Sequence, residues 1–306
     1  MYTKILIPLD SSKTAEQVLP YLKWLIAPQG EFHLVSVVEP NMYAYALDSN
    51  DAAIHDKLQA VIHSDLENYL GTVRTALQGQ GYKVQTWVAR GDAAQTIADV
   101  ATKIQADLIA MTTHGRTGFA RWALGSVADR VIQIAHQPIL LVRIDQAATT
   151  DYRISQILTP LDGSPLAEAA LAHAEQIAQQ TGATLHLLRA VEPLSSWQKT
   201  ILSEHGYVEQ ELEAERCAEA QHYLTKVCKR LQTSNIATCT LVYTGGAADA
   251  ILAVLDQGPV DLIVMSTHGL SGYSRWVYGS VASKVLHNST CPLLLLRSVE
   301  VTPSES

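Results

Sequence analysis

Asp107-Leu108-Ile109-Ala110-Met111-Thr112-Thr113-His114-Gly115-Arg116, continued through Gly118, Arg121 and Trp122 to Gly125-Ser126-Val127, decides the fold because it occurs twice. The second copy is Asp261-Leu262-Ile263-Val264-Met265-Ser266-Thr267-His268-Gly269-Leu270, continued through Gly272, Arg275 and Trp276 to Gly279-Ser280-Val281. Each copy opens on an apolar, strand-like run and closes where an amphipathic helix begins. A strand leading through a glycine-containing loop to a helix N-terminus is how α/β proteins hold phosphate. The backbone N–H groups and the positive end of the helix both face the anion. The loop is therefore the candidate functional centre of each half.

The repeat extends well beyond this loop. Asp107–Arg143 aligns with Asp261–Arg297 without a gap, with about half the positions identical. Ile5-Leu6-Ile7-Pro8-Leu9-Asp10 reads against Ile157-Leu158-Thr159-Pro160-Leu161-Asp162, and Val37-Val38-Glu39-Pro40 against Ala190-Val191-Glu192-Pro193. Halves of this length are domains rather than solenoid repeats. We expect one domain over residues 1–143, a linker over 144–153, a second domain over 154–298 and a frayed tail over 299–306.

Within the first half, strands are expected over Ile5–Leu9, Phe32–Val38, Val84–Val88, Leu108–Met111 and Ile139–Val142. Helices are expected over Ser12–Ile26, bent at Pro20, and over Ala52–Gln78, Ala93–Ile104 and Ser126–Ala135. In the second half, Ser164 reads as an N-cap with Pro165 at the first helical position, and Gly182 ends that helix. A long helix is expected over Ile201–Leu231. Short, continuous, Ile/Leu/Val-rich strands alternating with helices imply buried parallel strands with right-handed crossovers. Five strands per half make an open, doubly wound parallel sheet flanked by helices. Ligands then sit beyond the carboxyl ends of the strands.

The 306 residues carry a formal charge of −8 and no basic run, which argues against a nucleic-acid surface. No apolar run approaches a membrane span, and no basic start precedes an apolar h-region. A soluble, cytoplasmic protein without a membrane partner is expected. Cys217, Cys228, Cys239 and Cys291 show neither C-x-x-C nor zinc spacing, so free thiols are expected. No P-loop, no G-x-G-x-x-G after the first strand, no G-x-S-x-G elbow and no two-metal carboxylate cluster is present.

Gly115 lets the backbone approach a phosphate where a Cβ would clash, and Ser126 stands at the position of an N-cap. Gly269, Gly279 and Ser280 repeat the spacing. The alternative is a structural turn plus a cap; recurrence in both halves favours the anion. Asp10 and Asp162 end the first strands, where a carboxylate can accept from a nucleoside or cap the next helix. His114 and His268 have no companion Ser or Asp fixed by spacing and read as loop-shaping or surface residues. Arg116 is matched by Leu270; if residue 116 lies beside the phosphates, the first site gains a cation that the second lacks. Charge-assisted contacts are worth roughly 1.5–3 kcal/mol, so the first site is expected to hold triphosphate more tightly.

These residues resemble the universal stress protein family in its tandem form, over almost the whole chain. The family's ATP signature is G-x-x-G, nine residues, then G-[ST]. Here Gly115 and Gly269 are the second glycine, Gly125-Ser126 and Gly279-Ser280 the last pair, and Thr112 and Ser266 replace the first glycine. The resemblance implies two Rossmann-like, adenine nucleotide alpha hydrolase-like domains that bind ATP, with Mg2+ as an optional companion. It implies that Asp10 or Asp162 contacts the nucleoside, with Pro8 and Pro160 in the same opening motif. Backbone at Val37 or Ala190 would meet adenine, Met111 or Met265 would line the site, and Val127 or Val281 would add backbone. ATP would be hydrolysed slowly or not at all, in stress survival. Pairing through the last strand would give a homodimer or a pseudo-dimer of the two halves. A slow ATPase and an interaction scaffold with vestigial sites are the competing readings.

Overall fold

The computed structural model describes residues 1–39, 52–113, 124–143, 152–205, 208–267 and 279–297, and the chain falls into two compact units, Met1–Tyr152 and Arg153–Ser306. The first unit contains β1 (Tyr2–Pro8), α1 (Lys13–Glu16), α2 (Leu19–Leu22), β2 (Ile26–Val38), α3 (Ala52–Gly79), β3 (Lys83–Arg90), α4 (Ala93–Lys103), β4 (Leu108–Thr112), α5 (Ser126–Ile134) and β5 (Ile139–Val142). The second contains β6 (Gln156–Pro160), α6 (Pro165–Thr181), β7 (Thr184–Val191), α7 (Ser196–Glu204), α8 (Glu209–Thr233), β8 (Thr238–Thr244), α9 (Ala247–Gln257), β9 (Leu262–Ser266), α10 (Ser280–Asn288) and β10 (Leu293–Leu296).

Every strand pair within a unit is parallel. The orders are β3-β2-β1-β4-β5 and β8-β7-β6-β9-β10. The expected five-stranded sheet is present in both. Connections from β1 run outward to β2 and β3, then return across the sheet to β4. Right-handed crossovers therefore put α1–α3 on one face and α4 and α5 on the other. The direction of winding reverses between β1 and β4, and likewise between β6 and β9. The carboxyl ends of those strands splay apart there and leave a crevice.

The apolar runs explain the layering. Ile5, Leu6 and Ile7 of β1 are fully buried, and β4, β5 and β10 are buried along their whole length. Asp107 accepts from the N–H of Thr3 and of Lys4 at 2.6 and 3.0 Å, and Asp261 accepts from Ser155 and Gln156 at 2.7 and 2.9 Å. The carboxylate before the fourth strand thus fixes the start of the first strand in each unit.

Two element boundaries differ from expectation. The helix expected over Ser12–Ile26 is two four-residue pieces, and β2 starts at Ile26 rather than Phe32. α1 stops at Glu16, four residues before Pro20, where the proline ring meets a helical carbonyl and the amide donor is missing. The helix expected over Ile201–Leu231 is α7 followed by α8. A capping box of Ser195 and Gln198 starts α7 early, and His205 closes it through its N–H to the Ile201 carbonyl at 3.3 Å. Ser164, Pro165 and Gly182 (φ 73°) hold the expected N-cap, N1 and C-cap positions of α6. The four cysteines form no disulfide, and burial pushes the Cys291 thiol far above its ordinary value. No helix among the described residues is long and apolar enough to cross a membrane.

Candidate nucleotide site in each half

The site begins where β1 ends. Leu9 donates to the Val35 carbonyl at 2.8 Å, and the buried Ser36 hydroxyl donates to the Leu9 carbonyl at 2.6 Å, so the ends of β1 and β2 are stitched together. The next residues turn sharply: Ser11 has φ 65° and Gly163, its counterpart, φ 81°. Asp10 Oδ1 accepts from the Ser12 N–H at 3.0 Å and from its hydroxyl at 2.5 Å, and Ser12 in turn caps α1 through the Ala15 N–H. Asp162 accepts from the Ser164 N–H at 2.9 Å, and Ser164 caps α6. The strand-end aspartate therefore positions the capping serine and does not cap the helix itself.

The other wall comes from β4 and α5. Thr113 donates to the Val142 carbonyl at 3.0 Å, and Gly125 donates to the Thr113 carbonyl at 2.7 Å. Thr267 and Gly279 make the same bonds at 2.8 and 2.7 Å, to Leu296 and to the Thr267 carbonyl. The loop between strand and helix is pinched at its base, and this parks the helix start over the strand end. The N-cap is Gly125 or Gly279, in extended conformation, and its carbonyl accepts from Asp129 or Ser283. Ser126 and Ser280 are thus the first helical residues, not the N-caps expected from sequence. Among the described residues neither helix has a side-chain cap, which leaves N–H groups of the first turn for another acceptor. By contrast, α4 is closed by Asp92, which accepts from Gln95 at 3.0 Å, and by Glu39, which accepts from Ala93 at 3.2 Å.

Between these walls lies a cavity of about 340 Å³ in the first unit and about 480 Å³ in the second. Pro8, Asp10, Val37, Met111, Thr112, Gly125, Ser126 and Val127 all line the first. Pro160, Asp162, Ala190, Met265, Ser266, Gly279, Ser280 and Val281 line the second. Gly115, Arg116 and Gly269 lie outside the described residues, as do Leu270, His114, His268, Arg121, Trp122, Arg275 and Trp276. Sequence reasoning missed Glu39 and Glu192, although both follow the aligned strand ends. It also missed Ile62 and Leu66 on α3, and Arg189 on β7, Arg216 and Glu219 on α8. The helical positions carry no local signal, because only packing against the sheet sets which face meets the cavity. Among the described residues no cluster of His, Cys, Asp and Glu has the makings of a metal site.

The model of the universal stress protein family matches residues 1–143 and again 153–297. The chain belongs to the universal stress protein family. It carries two such domains in tandem. A universal stress protein of Mycolicibacterium smegmatis is 25% identical over 308 residues, 96% of either chain. One of Thermus aquaticus is 33% identical over 141 residues, 46% of this chain and 97% of that one. The crystal structure of a universal stress protein from Archaeoglobus fulgidus has a TM-score of 0.71 at 20% identity, covering 96% of this chain and 98% of that one. This last likeness speaks for the fold.

Proposed function

We propose that each half of this universal stress protein binds an adenine nucleotide, with ATP as the reference ligand, and that the protein works as a nucleotide-responsive regulatory module rather than a fast enzyme. The observation that carries this reading is the first turn of α5 and α10, uncapped among the described residues, at the mouth of a strand-end cavity. Amides there, at Ser126-Val127-Ala128 and Ser280-Val281-Ala282, suit phosphate oxygens, and the helix dipole adds to the attraction. The cavities fall in the range of roughly 300–1,000 Å³ typical of small-ligand sites. Asp10 and Asp162 supply carboxylate oxygens for a ribose hydroxyl, and Met111 and Met265 supply an apolar surface for the base. Mg2+ would arrive with the nucleotide, shielding its phosphates. Hydrolysis is slow in this reading because no described side chain in either cavity forms a base–nucleophile pair. Self-association as a homodimer belongs to the same reading.

Protein purified without added nucleotide and not dialysed should release an adenine nucleotide detectable by mass spectrometry. Saturating ATP should raise its melting temperature, with about 2.7 kcal/mol of linkage stabilisation at a hundred times the dissociation constant. Release of no nucleotide together with no stabilisation by ATP would sink the proposal.

A further inference from the structure

The two cavities share their strand-end wall but not the wall opposite. Val35 pairs with Pro8 and Leu188 with Pro160, so Arg189 stands where the first unit has Ser36. Val35 also pairs with Trp87 and Leu188 with Leu241. Counting back from those residues, Arg216 of α8 takes the place of Ile62 of α3. The buried Ser36 is turned onto the Leu9 carbonyl, and the helical wall of the first cavity is Ile62 and Leu66. In the second unit Arg189 and Arg216 both line the cavity.

Arg189 is held in place. Its guanidinium lies 4.8 Å from the centre of the Tyr223 ring. The Tyr223 hydroxyl donates to Glu168, which also receives Arg230 at 3.0 Å. A Cβ at residue 163 would fall 3.1 Å from Arg189 Nη1, and the residue there is glycine; the first unit, lacking the arginine, has Ser11. Among the described residues neither Arg189 nor Arg216 has an ion pair or a hydrogen bond from its side chain. Asp162 and Glu192 line the same cavity, but Asp10 and Glu39 match them in the first, and the exposed Glu219 corresponds to Asp65. The strand-end acids are common to both cavities; Arg189, Arg216 and Glu219 are the additions to the second, a net gain of one positive charge.

We propose that the second cavity selects a nucleotide carrying a further phosphate on its ribose, with Arg189 and Arg216 as the residues that recognise it. The inference rests on the nucleotide reading above, which sets the nucleoside on Asp162. Arg189 meets the residue next to Asp162, so its fork of donors flanks the ribose. β7 and β9 lie on either side of β6, two strand spacings or about 10 Å apart. A molecule phosphorylated at both ends can engage the start of α10 and the Arg189 guanidinium at the same time. A planar guanidinium held over a ring offers a fork of N–H donors that suits a phosphate better than a hydroxyl. The larger volume of the second cavity fits the larger ligand.

The test uses the full chain with Ile62→Trp, which fills the first cavity from the helix side, and isothermal titration calorimetry. Adenosine 3′,5′-bisphosphate and 2′,5′-bisphosphate are each compared with adenosine 5′-monophosphate. At least one bisphosphate should bind about tenfold more tightly or better, and Arg189→Ser with Arg216→Ile should bring the ratio to about one. Arg189→Gln alone, a milder change checked by its melting temperature, should cut the ratio at least about threefold. Equal affinities in the parent, or a preference that survives these substitutions, would overturn the assignment while leaving nucleotide binding intact. Binding of none of the three compounds would overturn this assignment, and if ATP also fails to bind, the nucleotide reading falls with it.

Discussion

After β1 the first half breaks its helix into α1 and α2, four residues each, whereas the corresponding α6 runs unbroken for 17 residues. Position 20 is proline in the first half and its counterpart, residue 172, is alanine. α6 also has Pro165 at its start and Gly182 in left-handed conformation at its end, and it buries Ala167, Ala170, Leu171, Ala174, Ile177 and Ala178 against the sheet. Yet Asp10 and Asp162 stand at the same place, and so do the serines they hold. The site tolerates a broken helix because it is fixed by strand ends and by backbone bonds such as Leu9 to Val35 and Leu161 to Leu188, both 2.8 Å. Where the halves diverge chemically is the opposite wall, with Ser36 and Ile62 in one and Arg189 and Arg216 in the other.

That contrast can be attacked directly. The largest effect is expected from Ala172→Pro, which imports the first half's proline into the middle of α6. It should cost about 3 kcal/mol or more, read as a drop in the urea midpoint of the second half. A cost under about 1 kcal/mol would mean that α6 does not depend on an unbroken ladder. A smaller effect is expected from Gly163→Ala. Its φ of 81° costs a side-chain-bearing residue about 1–2 kcal/mol, and the new Cβ must push Arg189 aside. Ser11→Gly relieves the same strain in the first half, so the two substitutions should move stability in opposite directions; shifts of the same sign would break the comparison.

The smallest effect concerns the histidines of the second strands. His33 pairs with the Glu31 carboxylate at 2.9 Å and accepts from the Trp87 indole at 3.2 Å. Its counterpart His186 meets the neutral Gln156 side chain at 2.6 Å, and burial pushes its pKa below the ordinary 6.5. The folded form then favours neutral imidazole. The stability this contributes is present above pH 6.5 and is lost as the pH falls through that value toward the lowered one. His186→Gln should therefore flatten the acid limb of thermal stability between pH 8 and pH 5. An unchanged limb would show that other groups set it.

Much of the site could be read in the chain alone. Asp10, Met111, Gly125 and their partners in the second half are strand ends and a helix start, and local pattern locates such points. The role of Ser126 could not be read. Whether a serine after a glycine is the cap or the first helical residue depends on the Gly125–Thr113 bond, which closes across the loop. The break at Pro20 was visible as a bend, but its consequence was not. Freed from the helix, Ile26 joined β2 opposite Tyr2, through a register shift before Lys4.

By itself the sequence determined two α/β units with parallel five-stranded sheets, and the strand ends at which the cavities open. Hydrophobic period and turn residues are local, and the repeat states them twice. Only the tertiary structure decided which side chains of α3 and α8 look into the cavities, and that no described side chain caps the first turns of α5 and α10. The phase of a helix about its own axis is set by packing on the sheet, and an amide's partner is set by whatever distant residue folds beside it.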